Sequence, residues 1–296
     1  MFGGSTVALI TPMDALGEIG YDDLRGLIDF HVGAGTEALV IAGTTGESAT
    51  LTKTEHVELV ERACELAADR IPIIAGTGSN STAQTLGLSR AVDRLPVVGF
   101  LVVTPYYNKP NQEGLRKHFL AVAEAVQKPV ILYNVPGRTG VDLMPDTTAK
   151  LSRHANIVAI KDATGDLERV AVLRDGCGPE FAILSGDDAT AAEFMLLGGN
   201  GCISVTANVA PRKMRALCDA SRQGRRDEAK RIDAELGGLH TGLFVESNPI
   251  PVKWAMQQMG LAGPGIRLPL VPLDAKYYER VRQAMADAGV GILGTA

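Results

Sequence analysis

The chain has 296 residues, 46% of them hydrophobic, and a formal net charge of −5. That length and apolar fraction suit one sizeable core and exclude a disordered or fibrous class. The acidic balance, unbroken by any basic run, argues against a nucleic-acid partner or an anionic membrane surface. The longest apolar stretches, such as Val97 to Val103, are far too short to span a bilayer. The first residues, Met-Phe-Gly-Gly-Ser, carry neither a basic nor an apolar region of the kind that opens a signal peptide. Cys64, Cys177, Cys202 and Cys218 are scattered, with no metal-ligand spacing, a usage that suits a reducing, cytoplasmic setting.

Along the chain, short apolar runs begin near Val7, Ala38, Pro72, Gly99, Val130, Ile157, Ala182 and Cys202. Each is nearly continuous in apolar residues, as a strand buried on both faces requires. The stretches between them read as helices. After Asp22, apolar Leu24, Leu27, Ile28 and Val32 recur at helical spacing, and after Lys53 so do Val57, Val60, Cys64 and their neighbours. Thr52 is placed to cap the second helix. Eight such units predict a parallel α/β sheet, and their regularity favours closure into a (β/α)₈ barrel over an open, doubly wound sheet. After Thr206 the strands stop. Helical stretches are expected over about 209–222, 225–244, 249–259 and 275–288, interrupted by Gly224, Gly237-Gly238 and the segment AGPGIRLPLVP. The expected division is a barrel over 1–224 and a C-terminal helical region over 225–296.

A barrel carries its chemistry at the carboxyl ends of its strands. Residues there include Thr44, Thr45, Tyr107, Tyr133, Lys161, Gly186 and Ser204. Lys161 ends the run Ile157-Val158-Ala159-Ile160. At an ordinary pKa of about 10.4, roughly 1 lysine in 2500 is neutral at pH 7, and a desolvated barrel mouth raises that fraction. A neutral amine there can attack a ketone, and the protonated imine then serves as an electron sink. A strand-end lysine that only snorkels to water is the other reading. Tyr133 is either a proton shuttle for imine formation, chained to Thr44 and Tyr107, or a core-edge tyrosine with its hydroxyl at the rim. Arg138 is either a carboxylate clamp or a solvated surface residue. GTTGE, 43–47, matches no phosphate-binding fingerprint, and its threonines have a plain alternative as helix caps. Gly198-Gly199-Asn200-Gly201 precedes the last strand and reads as a turn at the opposite end of the barrel. The five histidines fall mostly in amphipathic helices, so neither a metal nor another cofactor is expected.

Six segments carry a family resemblance: GTTGES (43–48), TPYYNKP (104–110), ILYNVPGRTG (131–140), IKDATGD (160–166), SGDD (185–188) and NPIPVKW (248–254). In order and at this spacing, they resemble the dihydrodipicolinate synthase and N-acetylneuraminate lyase superfamily of class I pyruvate aldolases, almost end to end. The resemblance implies an imine between Lys161 and pyruvate, and a proton shuttle at Tyr133 linked to Thr44 and Tyr107. The tyrosine matching Tyr107 enters the neighbouring subunit's site, so a homotetramer built as a dimer of dimers is implied. Thr45 would hold the pyruvate carboxylate and Arg138 the carboxylate of the aldehyde, while Gly186 and Ile203 would place backbone groups near the imine. The implied acceptor is L-aspartate 4-semialdehyde, giving 4-hydroxy-tetrahydrodipicolinate in lysine and diaminopimelate biosynthesis. A sister lyase acting on a sugar acid such as N-acetylneuraminate is the alternative, and a non-catalytic pyruvate or lysine sensor is a third reading. Lysine-sensitive members of the family bind lysine at residues matched here by Ser48, Ala49, His56, Asn80 and Tyr106. Lys53 and Gln84 depart from that pattern. Gln84 replaces a carboxylate with a neutral acceptor, and Lys53 repels an ammonium, so weak or absent lysine inhibition is expected.

Overall fold

The computed structural model describes residues 2–292. Eight parallel strands close into a barrel in sequence order: β1 (Gly4–Ala8), β2 (Ala38–Ile41), β3 (Ile73–Gly76), β4 (Gly99–Val103), β5 (Val130–Asn134), β6 (Ile157–Asp162), β7 (Ala182–Ser185) and β8 (Gly201–Ser204). Each begins within three residues of an apolar run noted above, and β8 pairs back onto β1 with Thr6 opposite Ile203. Around the strands run α1 (Tyr21–Ala34), α2 (Lys53–Ala67), α3 (Thr82–Asp93), α4 (Gln112–Ala125), the single turn α5 (Pro136–Thr139), α6 (Pro145–Leu151), α7 (Arg169–Cys177), α8 (Ala191–Leu196) and α9 (Pro211–Arg222). Then follow α10 (Arg226–Gly242), α11 (Ile250–Gln258) and α12 (Tyr278–Asp287). The boundary at 224/225 falls between α9 and α10, and residues 293–296 of the C-terminal region lie outside the described residues. Among the described residues no helix is long and apolar enough to cross a membrane.

Alternation along each strand builds two cores. One parity packs outward against the helices, as Leu132, Ile160 and Ile183 do. The other fills the barrel with Ala8, Val40, Ile74, Leu101, Ile131, Ala159, Leu184 and Ile203. Tyr133 shares the inward parity of Ile131, and Lys161 that of Ala159. The sequence thus turns a phenol and an amine into the top of an otherwise apolar barrel. Local signals close the helices as expected. Thr52 accepts from the Glu55 amide while the Glu55 carboxylate accepts from the Thr52 amide, a complete capping box on α2. Gly35 ends α1 at φ 77°. The Gly198–Gly201 turn lies below β8, where a Cβ on Gly201 would stand 2.2 Å from the Gly4 nitrogen, so only glycine lets the two backbones approach.

Candidate active site

Lys161 and Tyr133 are direct register partners on β6 and β5. The Lys161 Nζ lies 4.4 Å from the centroid of the Tyr133 ring. Lys161 is 4% exposed and Tyr133 7%, and no carboxylate pairs with Lys161 among the described residues. The Lys161 amine thus sits at the top of an apolar barrel, against an aromatic face and without a carboxylate partner among the described residues. This is not the snorkelling lysine of the plain reading, whose head would sit in water. Gly186 follows β7, and a Cβ there would meet Lys161 Cε at 2.7 Å and Ala163 Cβ at 2.8 Å. Ile203 lies on β8 inside the barrel, 1% exposed.

Behind this pair stands a polar network of the opposite parity. Asp162 pairs with Arg169, whose Nε is 3.2 Å away, and accepts from the Thr164 amide at 2.9 Å. Arg169 also reaches Asp142 at 2.9 Å and the Leu143 carbonyl at 2.7 Å. Asn134 closes the frame by donating to Asp142 at 2.7 Å and accepting from the Leu143 amide at 2.9 Å. In the SGDD segment, Asp188 accepts from the Val205 and Thr206 amides at 2.9 and 2.8 Å, which fixes the backbone just beyond β8. These residues carry no reacting atom. They hold the strand ends that bear Lys161 and Tyr133.

Thr44 and Thr45 cap no helix. The Thr44 carbonyl closes a tight turn with the Glu47 amide, and Thr45 Oγ1 accepts from the Asn248 side-chain amide at 3.0 Å. Arg138, exposed on α5, donates to the Asn248 carbonyl at 3.1 Å. Glu47, at φ 57°, is buried in an ion pair with Lys253 of α11 and also accepts from the Arg267 amide at 3.0 Å. Burial pulls Lys253 below the usual lysine range, against the opposing pull of Glu47. Arg267 in turn holds Glu55, whose carboxyl is lowered to about 2, chiefly by that hydrogen bond. Asn248, Lys253 and Glu47 were not singled out from the sequence. Their motif resemblance was visible, but the contacts cross some 200 residues of chain, which no local pattern reports.

Tyr107 stands apart. It is 88% exposed and adopts φ 74°, and its backbone amide is held by the Thr139 carbonyl at 3.2 Å, while among the described residues its hydroxyl makes no hydrogen bond. Among the described residues no hydrogen bond joins the hydroxyls of Thr44, Tyr107 and Tyr133, so one chain alone does not assemble that relay.

A cavity of 930 Å³ has Thr44, Arg138 and Asn248 in its wall, and also Ser48, Ala49, Lys53, His56, Gln84 and Tyr106. The candidate regulatory residues thus share one hollow with Thr44 and Arg138, while Lys161, Tyr133 and Thr45 do not line it. Asn80 is not in that wall, and its carbonyl holds the Asn108 side chain at 2.8 Å. His56 is spoken for by the Gly76 carbonyl at 2.7 Å, and burial keeps it below the usual histidine value. Gln84 accepts from the Ser79 hydroxyl at 2.9 Å. The cysteines are free thiols. Cys202 and Cys218 lie 3.5 Å apart between β8 and α9, and their mutual hydrogen bond, with burial, holds Cys202 well above the usual thiol range. Among the described residues no three His, Cys, Asp or Glu side chains converge as a metal-holding group.

The sequence profile of the dihydrodipicolinate synthetase family matches residues 1–288. A Methylococcus capsulatus protein named 4-hydroxy-tetrahydrodipicolinate synthase is 56% identical over 290 residues, covering 98% of this chain and 100% of that one. The chloride-inhibited dihydrodipicolinate synthase of Acinetobacter baumannii, solved with pyruvate, is 50% identical and superimposes with a TM-score of 0.97 over 98% of this chain and 100% of that one. A monomeric dihydrodipicolinate synthase variant, 39% identical, superimposes with a TM-score of 0.94 over 98% of each chain. With its barrel, its strand-end lysine and its motifs matched from end to end, the chain belongs to the dihydrodipicolinate synthetase family.

Proposed function

We propose that this chain condenses pyruvate with L-aspartate 4-semialdehyde, through an imine at Lys161, to form 4-hydroxy-tetrahydrodipicolinate for lysine and diaminopimelate biosynthesis. The observation that carries the reading is the placing of a buried Lys161, inside the barrel top, against the Tyr133 ring at 4.4 Å. The neutral Lys161 amine adds to the pyruvate ketone. Tyr133 moves the protons that turn the carbinolamine oxygen into water. Loss of a methyl proton from the iminium gives an enamine, whose carbon attacks the aldehyde. The amino group of the acceptor then adds to the imine carbon, closes the ring and releases the Lys161 amine. One water leaves for each pyruvate and aldehyde joined, and no redox partner is needed.

Thr45 and Arg138 divide the two carboxylates between them. Thr45 holds that of pyruvate, and Arg138, exposed at the cavity wall, takes that of the semialdehyde with a planar fork of donors. Gly186 and Ile203 bring backbone groups to the imine. A single arginine with two threonines suits a short acceptor bearing a carboxylate better than a sugar, which needs several hydroxyl-binding groups. The relatives' names point the same way.

Tyr107 completes the relay in a neighbouring subunit's site, linked there to Thr44 and Tyr133. A monomeric relative with the same fold means that the barrel by itself does not dictate assembly. The support here is Tyr107 itself, a bulky aromatic held at φ 74° and left 88% exposed, a conformation that persists only where something over-determines it. The working form is a homotetramer of two tight dimers, and four free thiols suit a cytoplasmic location. The cavity that contains Ser48, Ala49, His56, Gln84 and Tyr106 is the candidate lysine site, with Asn80 just beside it. Neutral Gln84 and cationic Lys53 make it a poor one, because neither balances a ligand ammonium.

The test is pyruvate consumption with L-aspartate 4-semialdehyde and N-acetylmannosamine offered in parallel, with borohydride trapping. Turnover of the semialdehyde and a three-carbon adduct on Lys161 are expected. Turnover of the sugar alone, or an adduct elsewhere, would overturn the substrate or the nucleophile respectively. Free lysine added to the same assay reads the regulatory site, and half-inhibition at micromolar lysine would contradict the expected insensitivity.

A further inference from the structure

The segment NPIPVKW has no part in the chemistry above, yet it touches both proposed carboxylate holders. Asn248 is 5% exposed and meets them with two different groups. Its side-chain amide donates to Thr45 Oγ1 at 3.0 Å, and its main-chain carbonyl accepts from the Arg138 guanidinium at 3.1 Å. The first bond has a direction. A hydroxyl whose oxygen already accepts an N–H keeps its own proton free, and that proton is then available to a carboxylate. Asn248 Oδ1 is buried with no hydrogen-bond partner. An orphaned buried acceptor is unfavourable, a cost that an apolar residue at this position would not incur. The segment is also pinned a second time to the same loop, since Lys253 pairs with Glu47, two residues beyond Thr45.

We propose that Asn248 is a positioning residue for the reaction. Its side chain turns the Thr45 hydroxyl into a donor to the pyruvate carboxylate, and its carbonyl sets where Arg138 meets the carboxylate of the acceptor. The proposal rests on the roles assigned to Thr45 and Arg138. It makes the two ends of Asn248 separable, because substitution removes the side chain and keeps the carbonyl.

The experiment first establishes wild-type turnover of pyruvate with the semialdehyde and imine trapping at Lys161. Failure there removes the proposed function and this inference with it. Given that activity, Asn248→Ala is expected to raise the pyruvate concentration for half-maximal trapping about tenfold, the scale of a hydrogen bond to a charged group. The KM for the semialdehyde should stay within about twofold, since the carbonyl that holds Arg138 remains. Asn248→Asp should be at least as damaging to pyruvate binding, because a carboxylate accepts the Thr45 proton and repels the substrate. Thr45→Val should reproduce the shift of Asn248→Ala, and the double variant should be no worse than either single one. Should Asn248→Ala fail to fold, Asn248→Ser and Thr45→Val carry the same comparison. Wild-type pyruvate saturation in Asn248→Ala or Asn248→Asp, or full additivity in the double variant, would overturn the proposal. So would a rise in both KM values together, which a merely structural role predicts.

Discussion

Gly186 stands where any side chain would collide with Lys161, the proposed nucleophile. An ideal Cβ there lies 2.7 Å from Lys161 Cε and 2.8 Å from Ala163 Cβ. The Ala163 carbon is anchored to the chain directly after β6 and cannot swing aside, so the Lys161 stem must give way. Gly186→Ala is therefore expected to slow imine formation by about a hundredfold, the usual cost of misplacing a reacting group by about an ångström. Stability should fall by no more than about 1–3 kcal/mol, the range for overpacking. Single-turnover imine formation, compared with the urea midpoint, separates the two. An undiminished rate would mean that Lys161 does not depend on the space Gly186 leaves.

At the scale of elements, the site depends on a helix outside the barrel. Helix α11 follows Pro249, and its Lys253 reaches back to Glu47 in the loop between β2 and α2. Both charges are buried, at 4% and 3% exposure. Two buried charges gain little net stability over apolar residues of the same volume, but removing one partner strands the other. Lys253→Met should cost about 3–5 kcal/mol in urea unfolding, and adding Glu47→Leu should recover most of it. Full additivity of the two losses would refute the pairing as the source. Since Thr44 and Thr45 precede Glu47 in the same loop, the single variant should also lose pyruvate binding. The cap of α2 is tied to this frame, because Arg267 holds Glu55 and also reaches the Thr50 and Gly17 carbonyls at 3.1 and 2.8 Å.

For the whole molecule, the open question is what completes the relay. One chain has Lys161 and Tyr133 in register but leaves Tyr107 in solvent. Two inactive variants, Tyr107→Phe and Lys161→Ala, should therefore restore activity when their subunits are mixed. A mixed interface can combine an intact lysine with a tyrosine from the other chain. Exchange is verified separately by mass-tagged subunits. Exchange without recovered activity would confine Tyr107 to its own chain. The cavity bears on regulation at the same scale: a ligand bound there would lie beside Tyr106, next in sequence to Tyr107, the residue proposed to complete the relay of a neighbouring subunit.

The alternation of apolar runs with amphipathic stretches determined the barrel, because each strand buried on both faces must be apolar throughout and each helix only along one stripe. All eight strands lie where such runs begin, and Thr52 is the cap its position suggested. Their places at the ends of such runs also made Lys161 and Tyr133 legible as strand-end residues. What local pattern left undecided was their company. That Lys161 is buried and not snorkelling, and that Tyr133 lies against it, emerged only once β5 and β6 were seen to face them inward together. Capping stayed open as an alternative for Thr44 and Thr45 until Asn248, distant in sequence, was found on Thr45. Glu47, Lys253 and Asp162 gave no periodic signal, since a buried ion pair is defined by the partner that balances it. Local sequence sets periodicity, turns and caps because those forces act over a few residues. Only closure of the barrel and docking of α11 brought together groups whose desolvation and hydrogen bonding are settled by contact in space.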